Sequence, residues 1–82
     1  MARRSLSGSR ILITGCSQGI GRSLALQAAE RGAKVLATAR NQHLLDQLAD
    51  DATKAGYPLE IFVGDVTKPD DRKAMLRKLF RQ

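Results

Sequence analysis

Ile11-Leu12-Ile13-Thr14-Gly15-Cys16-Ser17-Gln18-Gly19-Ile20-Gly21 is the stretch that decides how this chain folds. An apolar run is followed at once by three glycines, and then by Leu24, Ala25, Ala28 and Ala29 at helix-like spacing. Strand, glycine turn, helix is the context in which a backbone can wrap a phosphate. Glycine removes side chains where the turn is tight and the ligand comes close. The helix N-terminus offers unpaired N–H groups and a partial positive charge to an anion. The stretch reads as half of a dinucleotide site.

Outward from it, apolar runs and helical patterns alternate. Arg10 to Thr14 reads as a short buried strand, and Gly19 to Arg31 as a helix closed by Gly32. Lys34 to Ala39 reads as a second strand. Gln42 to Lys54 reads as a second helix, whose Leu44/Leu48/Ala52 and Leu45/Ala49 rows form one apolar stripe. Gly56 and Pro58 punctuate, and Leu59 to Gly64 reads as a third strand. A last helix follows Thr67-Lys68-Pro69, with Thr67 or Lys68 as cap and Pro69 in the first turn. Asp70 and Asp71 near its start and Arg77, Lys78 and Arg81 near its end complement the helix dipole. Met75/Leu79 and Leu76/Phe80 are its expected buried face.

The βαβαβα pattern, with continuously apolar strands, predicts an α/β fold: a Rossmann-type doubly wound parallel sheet, of which only the N-terminal half is present. Right-handed crossovers give the strand order 3-2-1. The first strand then becomes an exposed apolar edge, open to pairing with another chain. Residues 1–8, with Ser5, Ser7 and Gly8, read as a flexible leader.

The chain has 82 residues, a formal net charge of +6 and one cysteine, so no internal disulfide can form. A reducing, cytoplasmic setting is the expectation. No run approaches the roughly 18 apolar residues of a membrane span. The basic residues gather at the ends, Arg3, Arg4 and Arg10 in one group and Arg72, Lys73, Arg77, Lys78 and Arg81 in the other. A solvated tail and helix face is the favoured explanation. The aromatics are Tyr57, Phe62 and Phe80, too few to build a stacking platform for bases, so nucleic acid is not an expected partner.

The spacing Thr14-Gly15-xxx-Gly19-x-Gly21 resembles the TGxxxGxG signature of the short-chain dehydrogenase/reductase family. Asp65-Val66, after the third strand, resembles the family's Asp-hydrophobic pair at the adenine. Thr38-Ala39-Arg40 resembles its ribose-reading corner. The match runs from about residue 9 to 82, which the resemblance makes the N-terminal part of an NAD(P)-binding domain, truncated before the family's fourth strand. It implies that Gly15 permits the tight turn, Gly19 lets the pyrophosphate approach and Gly21 lets the helix pack on the strand. Ser17, Gln18 and Ile20 belong to the same cofactor-binding turn, Ser17 by its hydroxyl and Ile20 through its backbone N–H. Asp65 would accept from the adenine amino group, with Val66 lining the pocket. The plainer alternative is a strand-to-helix turn that binds nothing.

A carboxylate about 20 residues past the glycine turn would bond the ribose hydroxyls of NAD. The corner Thr38-Ala39-Arg40-Asn41 has no acid, and the next one is Asp46. Arg40 offers a charged planar fork suited to a 2′-phosphate, with Asn41 beside it. In the family an arginine just past the acid position accompanies NADP preference, so NADP(H) is expected ahead of NAD(H). Gln18 departs from one subgroup, which has a second basic residue there.

The family's catalytic serine, its Tyr-x-x-x-Lys and its Asn-Asn-Ala-Gly stretch have no match here. The sole tyrosine is Tyr57, and four residues on stands Ile61. No catalytic residue is therefore assigned. Cys16 sits at a variable position of the turn, His43 at a helix start, and no cluster has metal-ligand spacing. The expectation is the NADP(H)-binding portion of an oxidoreductase that moves a hydride between nicotinamide and a small carbonyl or secondary-alcohol substrate. The fragment itself is expected to be inactive, and a homo-oligomeric parent is left open. The alternative is a non-catalytic nucleotide-binding or strand-pairing module.

Overall fold

The chain forms one parallel sheet, β1 (Arg10–Thr14), β2 (Lys34–Ala39) and β3 (Glu60–Val63), interleaved with helices α1 (Gly19–Glu30), α2 (Gln42–Lys54) and α3 (Pro69–Arg81). This computed structural model describes residues 8–81. The expected leader falls almost wholly outside the described residues, as do Arg3, Arg4 and Gln82. The strand order is β1-β2-β3, which is 3-2-1 counted from the other edge. Register runs Ile11 to Val35, Leu12 to Leu36 and Thr14 to Thr38 on one side of β2, and Ala37 to Ile61 and Thr38 to Phe62 on the other.

Successive side chains of a strand point to opposite faces. Val35 and Ala37 share one face with Ile11, Ile13 and Ile61, and there they pack with Ala25, Ala28, Ala29, Leu45 and Leu48 of α1 and α2. Leu12, Leu36, Thr38 and Phe62 take the other face, where α3 lies against β1 and β2 and brings Met75 beside Phe62. The central strand is therefore covered twice, and Val35, Leu36, Ala37 and Thr38 are all buried. Complete burial of a leucine such as Leu36, Leu45 or Leu48 is worth about 1.5–3 kcal/mol. The edge strand β1 keeps its apolar residues only half-buried.

α1 and α2 stop in the same way. The N–H groups of Gly32 and Ala33 donate to the carbonyls of Ala29 and Ala28, and those of Gly56 and Tyr57 to Thr53 and Ala52. Arg22 of α1 and Asp51 of α2 form an ion pair between the helices. Among the described residues no helix is long and apolar enough to cross a membrane.

Two expectations need correction. Leu76 and Phe80 are not part of the buried face of α3. Met75 and Leu79 meet the sheet, while Leu76 is 47% and Phe80 66% exposed. The reason is that α3 covers only a three-stranded sheet with β1 at its edge, so a second apolar row finds nothing to cover it. On α1 too an apolar residue stays outside the core: Leu24 is exposed where Ala25 is buried. The basic face of α3 is not merely solvated: Lys78 donates to the Ile61 carbonyl at 2.6 Å and Arg72 to the Val66 carbonyl at 2.7 Å.

Candidate functional site

All three strands end on the same side, and their C-terminal ends with the following loops enclose a cavity of about 500 Å3. Thr14 and Gly15 come from the end of β1, Thr38 to Asn41 from β2, and Gly64 to Thr67 from β3, with Ser17 from the glycine turn. This is the carboxyl edge of a parallel sheet, where open α/β folds take their ligands. A larger hollow, about 600 Å3, is lined by residues of α3 alone and brings no second element to a ligand.

The glycine turn is shaped by its neighbours. Gly15 and Gly19 have φ of +67° and +66°, and a Cβ at either would meet open space. At these two positions the backbone conformation itself favours glycine. Gly21 is different: a Cβ there would lie 2.4 Å from the Gly15 carbonyl oxygen, so its missing side chain lets α1 close onto the turn. Cys16 anchors the turn from below. Its N–H donates to the Thr38 carbonyl at 3.2 Å, and its thiol to the Ile13 carbonyl at 3.0 Å. The side chain is fully buried, and burial pushes its pKa up despite that Thr38 contact, which leaves it an inert core residue.

Gln18 stands at the N-cap of α1 in extended conformation, and its side chain makes no capping bond. No acid occupies the first turn. The leading N–H groups and the dipole of α1 are thus free of internal competition, the condition under which a helix start takes an anion. Ile20 is 80% exposed on this turn. Gln18, Gly19, Ile20 and Gly21 do not line the cavity; they form the helix start next to it.

Gly15, Ser17, Arg40, Asn41, Asp65 and Val66 do line it together. Arg40 is exposed and forms no hydrogen bond or ion pair with the described residues. Asn41 has a structural duty that sequence reading did not assign: its Oδ1 accepts the Leu44 N–H at 3.0 Å and caps α2. Its NH2 group is left free to donate to a ligand. Asp65 is also partly committed. One carboxylate oxygen accepts the Thr67 hydroxyl at 2.6 Å and the Thr67 N–H at 2.9 Å. These bonds, the hydroxyl first, hold the Asp65 carboxyl below the usual aspartate range, with Arg40 and Lys68 adding a smaller pull. The second carboxylate oxygen remains open.

Sequence reading missed Gly64 and Thr67 as lining residues. For Thr67 a signal existed: an Asp followed two residues later by Thr favours a side-chain-closed turn. Of the two cap candidates, Thr67 and Lys68, the structure favours Lys68: its carbonyl accepts the first α3 bond, from Arg72, at 3.1 Å, while the Thr67 hydroxyl goes to Asp65. His43 lies exposed beside Gln47, and Tyr57 is exposed after α2. Among the described residues no group of three or more His, Cys, Asp or Glu is placed to hold a metal ion.

A parallel α/β sheet with an uncapped helix start behind a glycine turn, and a cavity across its strand ends, defines an open α/β half-domain with its hollow where such folds take ligands. Comparison with known proteins narrows the class. The short chain dehydrogenase family model matches residues 9–82, and the chain belongs to that family. It is similar to 11-beta-hydroxysteroid dehydrogenase 1A of Arabidopsis thaliana, 46% identical over 68 residues, covering 82% of this chain and 20% of that protein. L-xylulose reductase of Caenorhabditis elegans is 40% identical over 70 residues, 85% of this chain and 28% of that protein. A short-chain type dehydrogenase/reductase from Mycobacterium marinum superposes with a TM-score of 0.88 at 41% identity, covering 95% of this chain and 32% of that structure. The chain therefore spans between a fifth and a third of the proteins it matches.

Proposed function

We propose that this chain is the adenosine- and phosphate-binding part of an oxidoreductase that uses NADP(H) in preference to NAD(H). One observation carries the preference: Arg40, with no acid at its corner, lines the same cavity as Gly15 and Asp65. A carboxylate there would repel a 2′-phosphate; a guanidinium matches one. The residues fit the group. The α1 start and the Gly15–Gly19 turn would hold the pyrophosphate, Ser17 would donate its hydroxyl, and the N–H groups of Gly19 and Ile20 would point to the anion. Arg40 and the amide of Asn41 would meet the 2′-phosphate. The open oxygen of Asp65 would accept from the adenine amino group, with Val66 against the ring.

Bound NADP(H) supplies the hydride in such enzymes, and the protein supplies orientation and acid–base groups. The parent would act on a small carbonyl or secondary alcohol. Two relatives named as a hydroxysteroid dehydrogenase and a xylulose reductase support that substrate class. No residue of this chain is assigned to the proton transfer. The test is oxidation of NADPH by the intact protein against a carbonyl panel, with the 82-residue chain alone as comparison. Turnover by the intact protein and none by the chain is expected; turnover by the chain alone would refute the division of labour.

The open apolar edge of β1 favours a second reading, in which the chain pairs that edge with another strand and binds nucleotide without catalysis. Sedimentation of the 82-residue chain tests pairing between copies: self-association through β1 is the expected outcome on this reading, and a well-behaved folded monomer argues against strand exchange.

A further inference from the structure

Past the end of β3 at Val63, the sheet reaches only one further residue of the cavity wall, Gly64, whose N–H donates to the Ala39 carbonyl at 3.0 Å; the next two, Asp65 and Val66, are held by side chains reaching back from α3. The Asp65 N–H donates to Asp71 Oδ2 at 2.8 Å, and Arg72 Nη1 donates to the Val66 carbonyl at 2.7 Å. Lys68 N–H closes the loop on the Asp65 carbonyl at 3.0 Å. Backbone groups in a loop need partners, and here two of them take charged ones, which are the stronger kind. Asp71 is partly buried in the first turn of α3, where the helix dipole favours its charge and holds it in place.

We propose that Asp71 and Arg72 are positioning residues that set nucleotide affinity at the adenosine end of the cavity without touching the nucleotide. The inference rests on the dinucleotide reading given above. Asp71 fixes the main chain of Asp65, and so the direction of its open carboxylate oxygen. Arg72 fixes the carbonyl of Val66, and so the wall beside it. Thr67 holds the other carboxylate oxygen, which leaves the Asp65 carboxylate one free oxygen. Neither Asp71 nor Arg72 lines the cavity itself. Their effect is that of outer partners that orient the groups in contact with a ligand.

The test uses the intact protein, with adenosine 2′,5′-bisphosphate as probe, titrated calorimetrically against wild type, Asp71→Ala, Asp71→Asn and Arg72→Leu. Asp71→Ala is expected to weaken binding about ten-fold, the loss of one charge-assisted bond. Asp71→Asn keeps an acceptor for the Asp65 N–H and is expected to restore affinity to within about three-fold. Arg72→Leu is expected to weaken binding in the same direction. Amide exchange should quicken over residues 64–68 and stay slow in β2. Wild-type affinity in both Asp71→Ala and Arg72→Leu overturns the proposal, as does failure of Asp71→Asn to restore binding, or exchange that quickens equally in β2. Should Asp71→Ala not fold, Arg72→Leu decides alone. If wild type binds neither this probe nor AMP, the dinucleotide reading falls and this inference with it; if wild type binds and the variants bind equally, only this inference falls.

Discussion

The Gly15 carbonyl oxygen occupies the space in which a side chain at Gly21 would begin: a Cβ there would stand 2.4 Å from it. The two glycines thus serve the same turn for different reasons, Gly15 for its positive φ and Gly21 for its missing volume. Gly21→Ala must push the start of α1 off the turn, at a cost of about 1–3 kcal/mol. Gly15→Ala meets open space and costs about 1–2 kcal/mol of backbone strain. The separation shows in nucleotide binding. Gly21→Ala displaces the helix N-terminus and is expected to lose phosphate affinity beyond its loss of stability, measured by calorimetry beside thermal unfolding. Unchanged affinity in folded Gly21→Ala would contradict this.

The Thr67 hydroxyl is the main reason the Asp65 carboxyl lies below the usual aspartate range. A carboxyl lowered by folding adds stability that is complete above its unfolded value, about pH 4, and is lost as pH falls through the folded value. Thr67→Val removes the hydroxyl bond and keeps the N–H bond. The Asp65 titration is expected to move up toward the ordinary value, so that acid loosening of the loop sets in at higher pH. A carbon-detected NMR titration of Asp65 reads this directly, and an unmoved midpoint would count against the assigned cause.

Thr38 is completely buried on the central strand, and its hydroxyl has no partner among the described residues. An unmade hydrogen bond in the interior is a cost, and valine has the same shape without it. Thr38→Val is expected to leave stability unchanged or raise it by about 1 kcal/mol. Thermal unfolding decides, and a clear fall in stability would reveal a partner for the hydroxyl.

The alternation of apolar runs and helical stripes made the βαβαβα order readable from sequence, and β1, β2 and α2 begin and end where the sequence puts them. Capping and turn chemistry set those boundaries locally, so sequence carries them. What escaped depends on distant partners. Lys78 meets a carbonyl 17 residues away, and Cys16 is core because β2 runs beneath the turn. Leu76 and Phe80 have helical spacing typical of a buried face, but spacing does not say how wide the sheet beneath will be. Of the ten site residues read from the sequence, the fold brings six into one cavity and leaves Gln18, Gly19, Ile20 and Gly21 at the helix start beside it. The double duty of Asn41 and Asp65 was hidden, because capping and turn bonds compete with ligand bonds for the same atoms.

The central claim is that Arg40 makes this a site for a 2′-phosphorylated dinucleotide. The most direct measurement is the ratio of NADPH to NADH affinity in the intact protein, wild type against Arg40→Asp. Wild type is expected to favour NADPH, and Arg40→Asp to lower the ratio by about ten-fold or more, as loss of a charge-assisted contact and gain of a repulsive one require. A wild-type ratio near one, or a ratio that Arg40→Asp leaves unchanged, would contradict the claim.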